Sequence, residues 1–199
     1  MSHSSLRFAA LPLTFSLVAC ASEPAEPLSA VESAATAAAV EGMVVAISPL
    51  TGGDLGAIAA SFQASFGLGG LSCATVVTDD TTFVDVSFNC IGLLSTTGSL
   101  RVELVTPSKF EATAELTIGG IEVNGALVVS IPSNPGAARS FEGNLSIETP
   151  NRLLTADAEA SWTRTGRCVT YSASANVLAE GPRGRAAGSI ELDEHTVCH

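Results

Sequence analysis

Phe110-Glu111-Ala112-Thr113-Ala114-Glu115-Leu116-Thr117-Ile118 sets an apolar side chain at every even position and a polar one at every odd position. A period of two belongs to a β-strand with one buried and one wet face, because successive side chains leave the pleat on opposite sides. The pattern spreads both ways along the chain. Leu100, Val102 and Leu104 alternate with Arg101 and Glu103 upstream, and the alternation recurs downstream in Ile121–Ile131, Phe141–Ile147, Leu154–Trp162, Val169–Val177 and Gly188–Leu192. Turn-forming clusters separate the runs: Pro107-Ser108, Gly119-Gly120, Ser133-Asn134-Pro135-Gly136 and Pro150-Asn151. Connections this short join antiparallel neighbours. Residues 71–199 therefore predict an antiparallel meander of roughly nine strands with one apolar and one polar face.

Upstream of Leu71 the period changes. Ser29 and Glu32 have capping-box spacing, and the Ala-rich run to Glu41, stopped near Gly42, reads as a spacer helix. Met43 to Ile47 suits either a continuation of that helix or a first strand. After Thr51-Gly52-Gly53, Asp54 is placed to N-cap a second helix whose Leu55, Ile58, Phe62 and Phe66 share one face, with Gly67, Gly69 and Gly70 ending it. A Gly-rich turn before a helix can also cradle phosphate. No Lys or Walker-type spacing follows here, so capping accounts for it.

Ala156, Ala158, Ala160, Ala173 and Ala175 make part of the apolar sheet face nearly flat. Such a face admits a closely packed helix, and Leu55–Phe66 is the expected cover. The fold class that follows is mainly β within α+β: an antiparallel meander forming a curved sheet or incomplete barrel, packed on one N-terminal helix. A recurring Gly-x-Leu/Ile-x-aliphatic pattern at Gly98, Gly125, Gly143 and Gly188 is expected to mark bends in it. Residues 29–70 form the helical segment and 71–199 the antiparallel β domain, so that 29–199 is one folded unit.

The formal net charge is −11, with 9 basic against 20 acidic residues. A surface this acidic repels phosphate backbones and anionic headgroups, which argues against nucleic-acid binding. Aromatic residues are only 5 % of the chain, so the core must be built from Val, Leu, Ile and Ala.

The N-terminus carries an export signal. Arg7 is followed by an apolar run from Phe8 to Val18, too short for the roughly 20 residues that span a bilayer core. It closes on Leu17-Val18-Ala19-Cys20. That tetrapeptide resembles the bacterial lipobox, and the resemblance covers the signal alone. It implies removal of residues 1–19, acylation of Cys20 as the first mature residue, and a tether over residues 20–28 kept extended by Pro24 and Pro27. Loss of Arg7 would make the mature chain one charge more negative. Several acyl chains anchor stably where one does not, so the membrane is the first expected partner. Ala21 and Ser22 stand where an Asp would retain a lipoprotein at the inner membrane. The resemblance therefore implies a lipid-anchored place in the cell envelope, at the outer membrane of a Gram-negative bacterium.

Four further cysteines, Cys73, Cys90, Cys168 and Cys198, make an even set in an exported chain, which implies two disulfides with three connectivities open. Local patterning favours Cys73–Cys90 and Cys168–Cys198. Cys73, Thr75 and Val77 would face Cys90, Phe88 and Val86 around Asp79-Asp80, and the second pair would close a hairpin turning at Gly181-Pro182-Arg183-Gly184.

No catalytic set, cofactor or metal centre emerges. His195 and His199 lie with Glu194 and Cys198 in the last six residues, but a disulfide claims Cys198 and the remaining donors are too few for a metal. Asp193 and His195 would share a strand face, yet no Gly-x-Ser-x-Gly elbow supplies a nucleophile. Lys109 beside Ser108 has no evident base or desolvation. Asp157 and Glu159 share one strand face, as the paired carboxylates of a glycosidase would need to, but a solvated acidic face explains them. Period-two strands are also the mark of a transmembrane barrel; the helical N-terminal third, the disulfides and the lack of aromatic girdles argue against one. Two functions fit what remains. One is a non-enzymatic envelope lipoprotein binding an apolar ligand or lipid between sheet and helix. The other is a structural or protein-interaction module of the envelope, meeting an envelope protein and holding no small molecule.

Overall fold

The computed structural model describes residues 25–66, 73–79, 82–90, 95–134, 136–182 and 184–198. Cys20, Gly67, Gly69, Gly70, Asp80, Arg183 and His199 lie outside them. Nine strands form the expected meander: β2 (Ala74–Asp79), β3 (Phe83–Cys90), β4 (Thr96–Thr106), β5 (Lys109–Ile118), β6 (Ile121–Ser130), β7 (Arg139–Glu148), β8 (Leu153–Thr165), β9 (Cys168–Gly181) and β10 (Gly184–Cys198). Each pairs antiparallel with the next in sequence. A tenth strand, β1 (Glu26–Pro27), comes from the expected tether and lies parallel to β10, Glu26 opposite Ala186. The sheet is a single open one, ordered β1-β10-β9-β8-β7-β6-β5-β4-β3-β2.

Two helices precede β2: α1 (Ala30–Ile47) and α2 (Leu55–Phe66). The capping box at α1 is formed, Ser29 N donating to Glu32 Oε2 at 2.8 Å and Glu32 N to Ser29 Oγ at 3.3 Å. Met43 to Ile47 continue the helix. The spacer reading of this segment is wrong. Ala39, Met43, Val44 and Ile47 have no exposed surface, and α1 lies across β5 to β10. It is also 18 residues long with a mean hydropathy of 1.5, enough to cross a bilayer, yet over half of it is buried in the domain.

The expected cover, α2, sits instead at the end of the sheet on β2 and β3. Asp54 caps it as anticipated, accepting from Ala57 N at 2.8 Å. Phe62 is fully buried, and Phe66 meets Phe88 edge-on with ring centroids 5.3 Å apart. Amphipathic periodicity drew attention to α2 because only one of its faces is covered. A helix apolar nearly all round, like α1, is the one that goes to the middle of a core.

The small residues do what the flat face suggested. A Cβ at Gly42 would come within 2.6 Å of Ile118 Cδ1, so helix and sheet meet there with nothing between them. Met43 caps the neighbouring gap, its Cε 3.2 Å from where a Gly125 Cβ would stand.

Both disulfides have the expected partners, Cys73–Cys90 and Cys168–Cys198. The β2–β3 register, however, is one residue off the expectation: Thr75 faces Ser87, and Val76 rather than Val77 faces Val86. A slip of one turns every side chain over. Ala74 is consequently buried and Val77 is 60 % exposed. The cysteine pairing tolerates the slip because a disulfide needs only neighbouring Cα positions, not directly opposed ones. Replacing Cys168 and Cys198 together by alanine is expected to cost about 3 kcal/mol in the chain-entropy model, measurable as a lowered denaturation midpoint with the far-UV circular dichroism unchanged.

Candidate functional site

The sheet has two faces, and each was expected to carry function. On the helix side, the space for an apolar ligand is taken up by the protein's own side chains. Leu100, Phe110, Val123, Leu145, Leu154 and Trp162 are at most 1 % exposed and pack with the apolar residues of α1 into one cluster.

The opposite face is polar and acidic, and the pairing registers lay its carboxylates in a row. Glu103 stands opposite Glu111, Glu111 opposite Val128, Val128 opposite Glu142, Glu142 opposite Glu159, Glu159 opposite Ser174, and Ser174 opposite Glu191. Asp157 lies one pleat along, between Asn144 and Asn176. Like charges directly opposed across strands oppose folding, and Glu103/Glu111 and Glu142/Glu159 are two such pairs. Glu159 accepts from Ser174 Oγ at 2.9 Å. A trough of about 610 Å3 runs over this part of the sheet, lined by Glu111, Glu142, Asp157 and Glu159 with Thr113 and Asn144. The strands bring together what alternation had already placed on one face. Opposition of glutamates in register was not legible, because it depends on how strands pair.

The C-terminal strand departs from expectation. A bulge in β10 between Leu192 and His195 breaks the alternation there. Asp193 lines the outer face, whereas His195 turns to the helix side and meets the Tyr171 ring edge-on at 5.8 Å. The two do not share the strand face expected of them. Tyr171 in turn donates from Oη to Glu41 Oε2 on α1 at 2.7 Å, and His195 Nε2 lies 4.0 Å from the same oxygen. Burial, reinforced by that carboxylate, pushes the Tyr171 phenol well above its usual range. This trio joins α1 to the sheet. No pattern in the sequence pointed to it, since Glu41 and Tyr171 are far apart in the chain.

Among the described residues, no group of three His, Cys, Asp or Glu side chains converges as a metal site. Lys109 is exposed at the start of β5, beside the Pro107-Ser108 turn. No family model matches this chain, and no curated protein and no solved structure matches it.

Proposed function

We propose that this chain is a lipid-anchored lipoprotein of the cell envelope, held at the outer membrane through acyl chains on Cys20, and that it acts without catalysis as an interaction module for an envelope protein. The partner surface in this reading is the outer face of β4 to β10, and the partner segment is rich in Lys and Arg. The observation that carries it is the row of opposed glutamates, Glu103/Glu111 and Glu142/Glu159. Their mutual repulsion is a standing cost of the free domain, and a cationic segment lying across the strands would relieve it.

Other features agree. Paired cysteines suit an oxidising compartment. The filled interface beneath α1 favours this alternative over a ligand carried between sheet and helix.

A photo-crosslinking residue at Val128, in the middle of the row, is expected to capture one partner reproducibly in cells through a basic segment. Glu142→Lys with Glu159→Lys should abolish the capture, and Cys20→Ala should release the protein from membranes and prevent palmitate incorporation. Capture unchanged by the charge reversal would overturn the interface. Continued membrane attachment of Cys20→Ala would overturn the anchor.

A further inference from the structure

At one end of the sheet, two arginines converge in a chain that carries only 9 basic residues against 20 acidic ones. Arg139 opens β7 opposite Trp162 of β8, and Arg164 follows two residues later on the same face of β8. Both are half-buried and line a cleft of about 940 Å3. Its walls come from the Thr51-Gly52-Gly53 turn before α2, the Pro107-Ser108 turn, the β6–β7 loop around Ser133 and Asn134, and the end of β8 at Thr163 and Thr165. Among the described residues, no carboxylate lines it.

The two guanidiniums are held but not neutralised. Arg139 Nη1 donates to the Ser48 carbonyl at the end of α1, at 3.0 Å. Arg164 donates from Nη1 to Ser65 Oγ at 2.7 Å and from Nε to the Gly166 carbonyl at 3.1 Å. All three acceptors are neutral, and among the described residues neither arginine has an ion pair. A guanidinium offers five donors, so most remain for another acceptor. Desolvation, and for Arg164 also the nearby charge of Arg139, weakens the hold of each on its proton. Beside them, Trp162 is 1 % exposed and its indole Nε1 has no hydrogen-bond partner among the described residues. Two like charges drawn partly out of water without a counter-charge are costly.

We infer that this cleft binds a small dianionic phosphate ester, its phosphoryl oxygens taken by Arg139 and Arg164 and its polar remainder by the hydroxyl-rich walls. Planar, multi-donor guanidiniums suit phosphate oxygens, and the volume lies in the range of small-molecule sites. Gly52 and Gly53 present no side chain toward the opening. The cleft adjoins the end of α1 at Ser48, whereas the segment leading from Cys20 joins the sheet at Glu26, before the start of α1. An 18-residue helix separates them, a distance of about 27 Å. With Cys20 as the anchor, as proposed above, the cleft lies at the end of α1 opposite the tether, and we assign its ligand as a soluble ester rather than a lipid headgroup.

Titration calorimetry on the full lipidated chain in detergent micelles, at constant ionic strength, tests this with inorganic phosphate and with glycerol 3-phosphate. Saturable 1:1 binding is expected, tighter for the ester. It should weaken by roughly tenfold or more in Arg164→Gln and in Arg139→Gln. Ser133→Glu, a change on an exposed loop that leaves the core alone, should weaken it similarly by adding a carboxylate to the rim. Absence of saturable heat with either probe, or affinity unchanged in Ser133→Glu and Arg164→Gln, would overturn the site. Displacement of the ester by phosphatidylglycerol doped into the micelles would overturn its assignment to a soluble ligand.

Discussion

Gly98→Val is expected to cost about 2–6 kcal/mol, a large part of the total stability of a domain, which is about 5–15 kcal/mol. Gly98 lies inside β4, paired on one side with Phe88 and on the other with Leu116. Its φ is +119°, a conformation closed to β-branched residues. A Cβ there would also collide with the Glu115 carbonyl oxygen and stand 3.0 Å from Leu116 Cα. Both obstacles are backbone, which cannot rotate away as a side-chain tip can. Strain of about 1–3 kcal/mol from the dihedral adds to about 1–3 kcal/mol from overpacking. Gly166→Val is the control, because Gly166 also has a positive φ, of 61°, but nothing within 4 Å of its would-be Cβ. Denaturant midpoints for the two variants should therefore differ widely. Equal losses would show that the close approach of β4 to β5 is not what holds the glycine.

Arg152→Met is expected to cost about 3–5 kcal/mol, the usual effect of orphaning a buried charge. Arg152 follows the Pro150-Asn151 turn, is 8 % exposed, and donates from Nη1 to Glu32 Oε1 at 3.1 Å. Its Nη2 also reaches Glu26 Oε2 at 3.6 Å, so one side chain ties β1 and the start of α1 to the β7–β8 turn. Adding Glu32→Gln to Arg152→Met should recover part of the loss by removing the stranded carboxylate.

The pH dependence of Glu32 has a definite sign. The Ser29 backbone N–H is the main cause that lowers its pKa; burial opposes, while the Ser29 hydroxyl and the Arg152 charge add to the lowering. A carboxyl whose folded pKa lies below its unfolded value of about 4.3 stabilises the fold above that value. The contribution is lost as pH falls through the folded pKa. The stability gap between wild type and Glu32→Gln should accordingly be full near neutrality and close in acid. A gap that widened below pH ~4 would contradict the Glu32 environment described here.

Much of this structure was readable because it is local. Ser29 and Glu32 are three residues apart, so their reciprocal cap needs no tertiary partner to be recognised. Arg152, which completes the same cluster, lies 120 residues away from Glu32 and announced nothing in its own neighbourhood. Gly98 and Gly143 were legible as special positions, and the structure supplies a reason the pattern did not give. Their missing Cβ atoms leave room for the carbonyls of Glu115 and Ala126 on the adjoining strands. Likewise Arg139 and Arg164 occupy inward positions of alternating strands and look there like exceptions to the apolar pattern. Only the common cleft shows them as a pair.

The alternation of side chains by itself determined that this protein is a meander of antiparallel strands, since the pleat forces a period of two and short turns force neighbours to reverse. It also favoured the disulfide partners that form, because each pair closes the open end of one hairpin. The tertiary structure alone decided that α1 rather than α2 fills the centre, that β2 pairs with β3 one residue away from the symmetric register, and that β1 covers part of the β10 edge. Those outcomes follow from which surfaces fit when distant segments meet: the Ala- and Gly-faced helix can approach a flat sheet closely, and α2, with its two phenylalanines, cannot. Periodicity records which face of an element is buried, and packing decides against what.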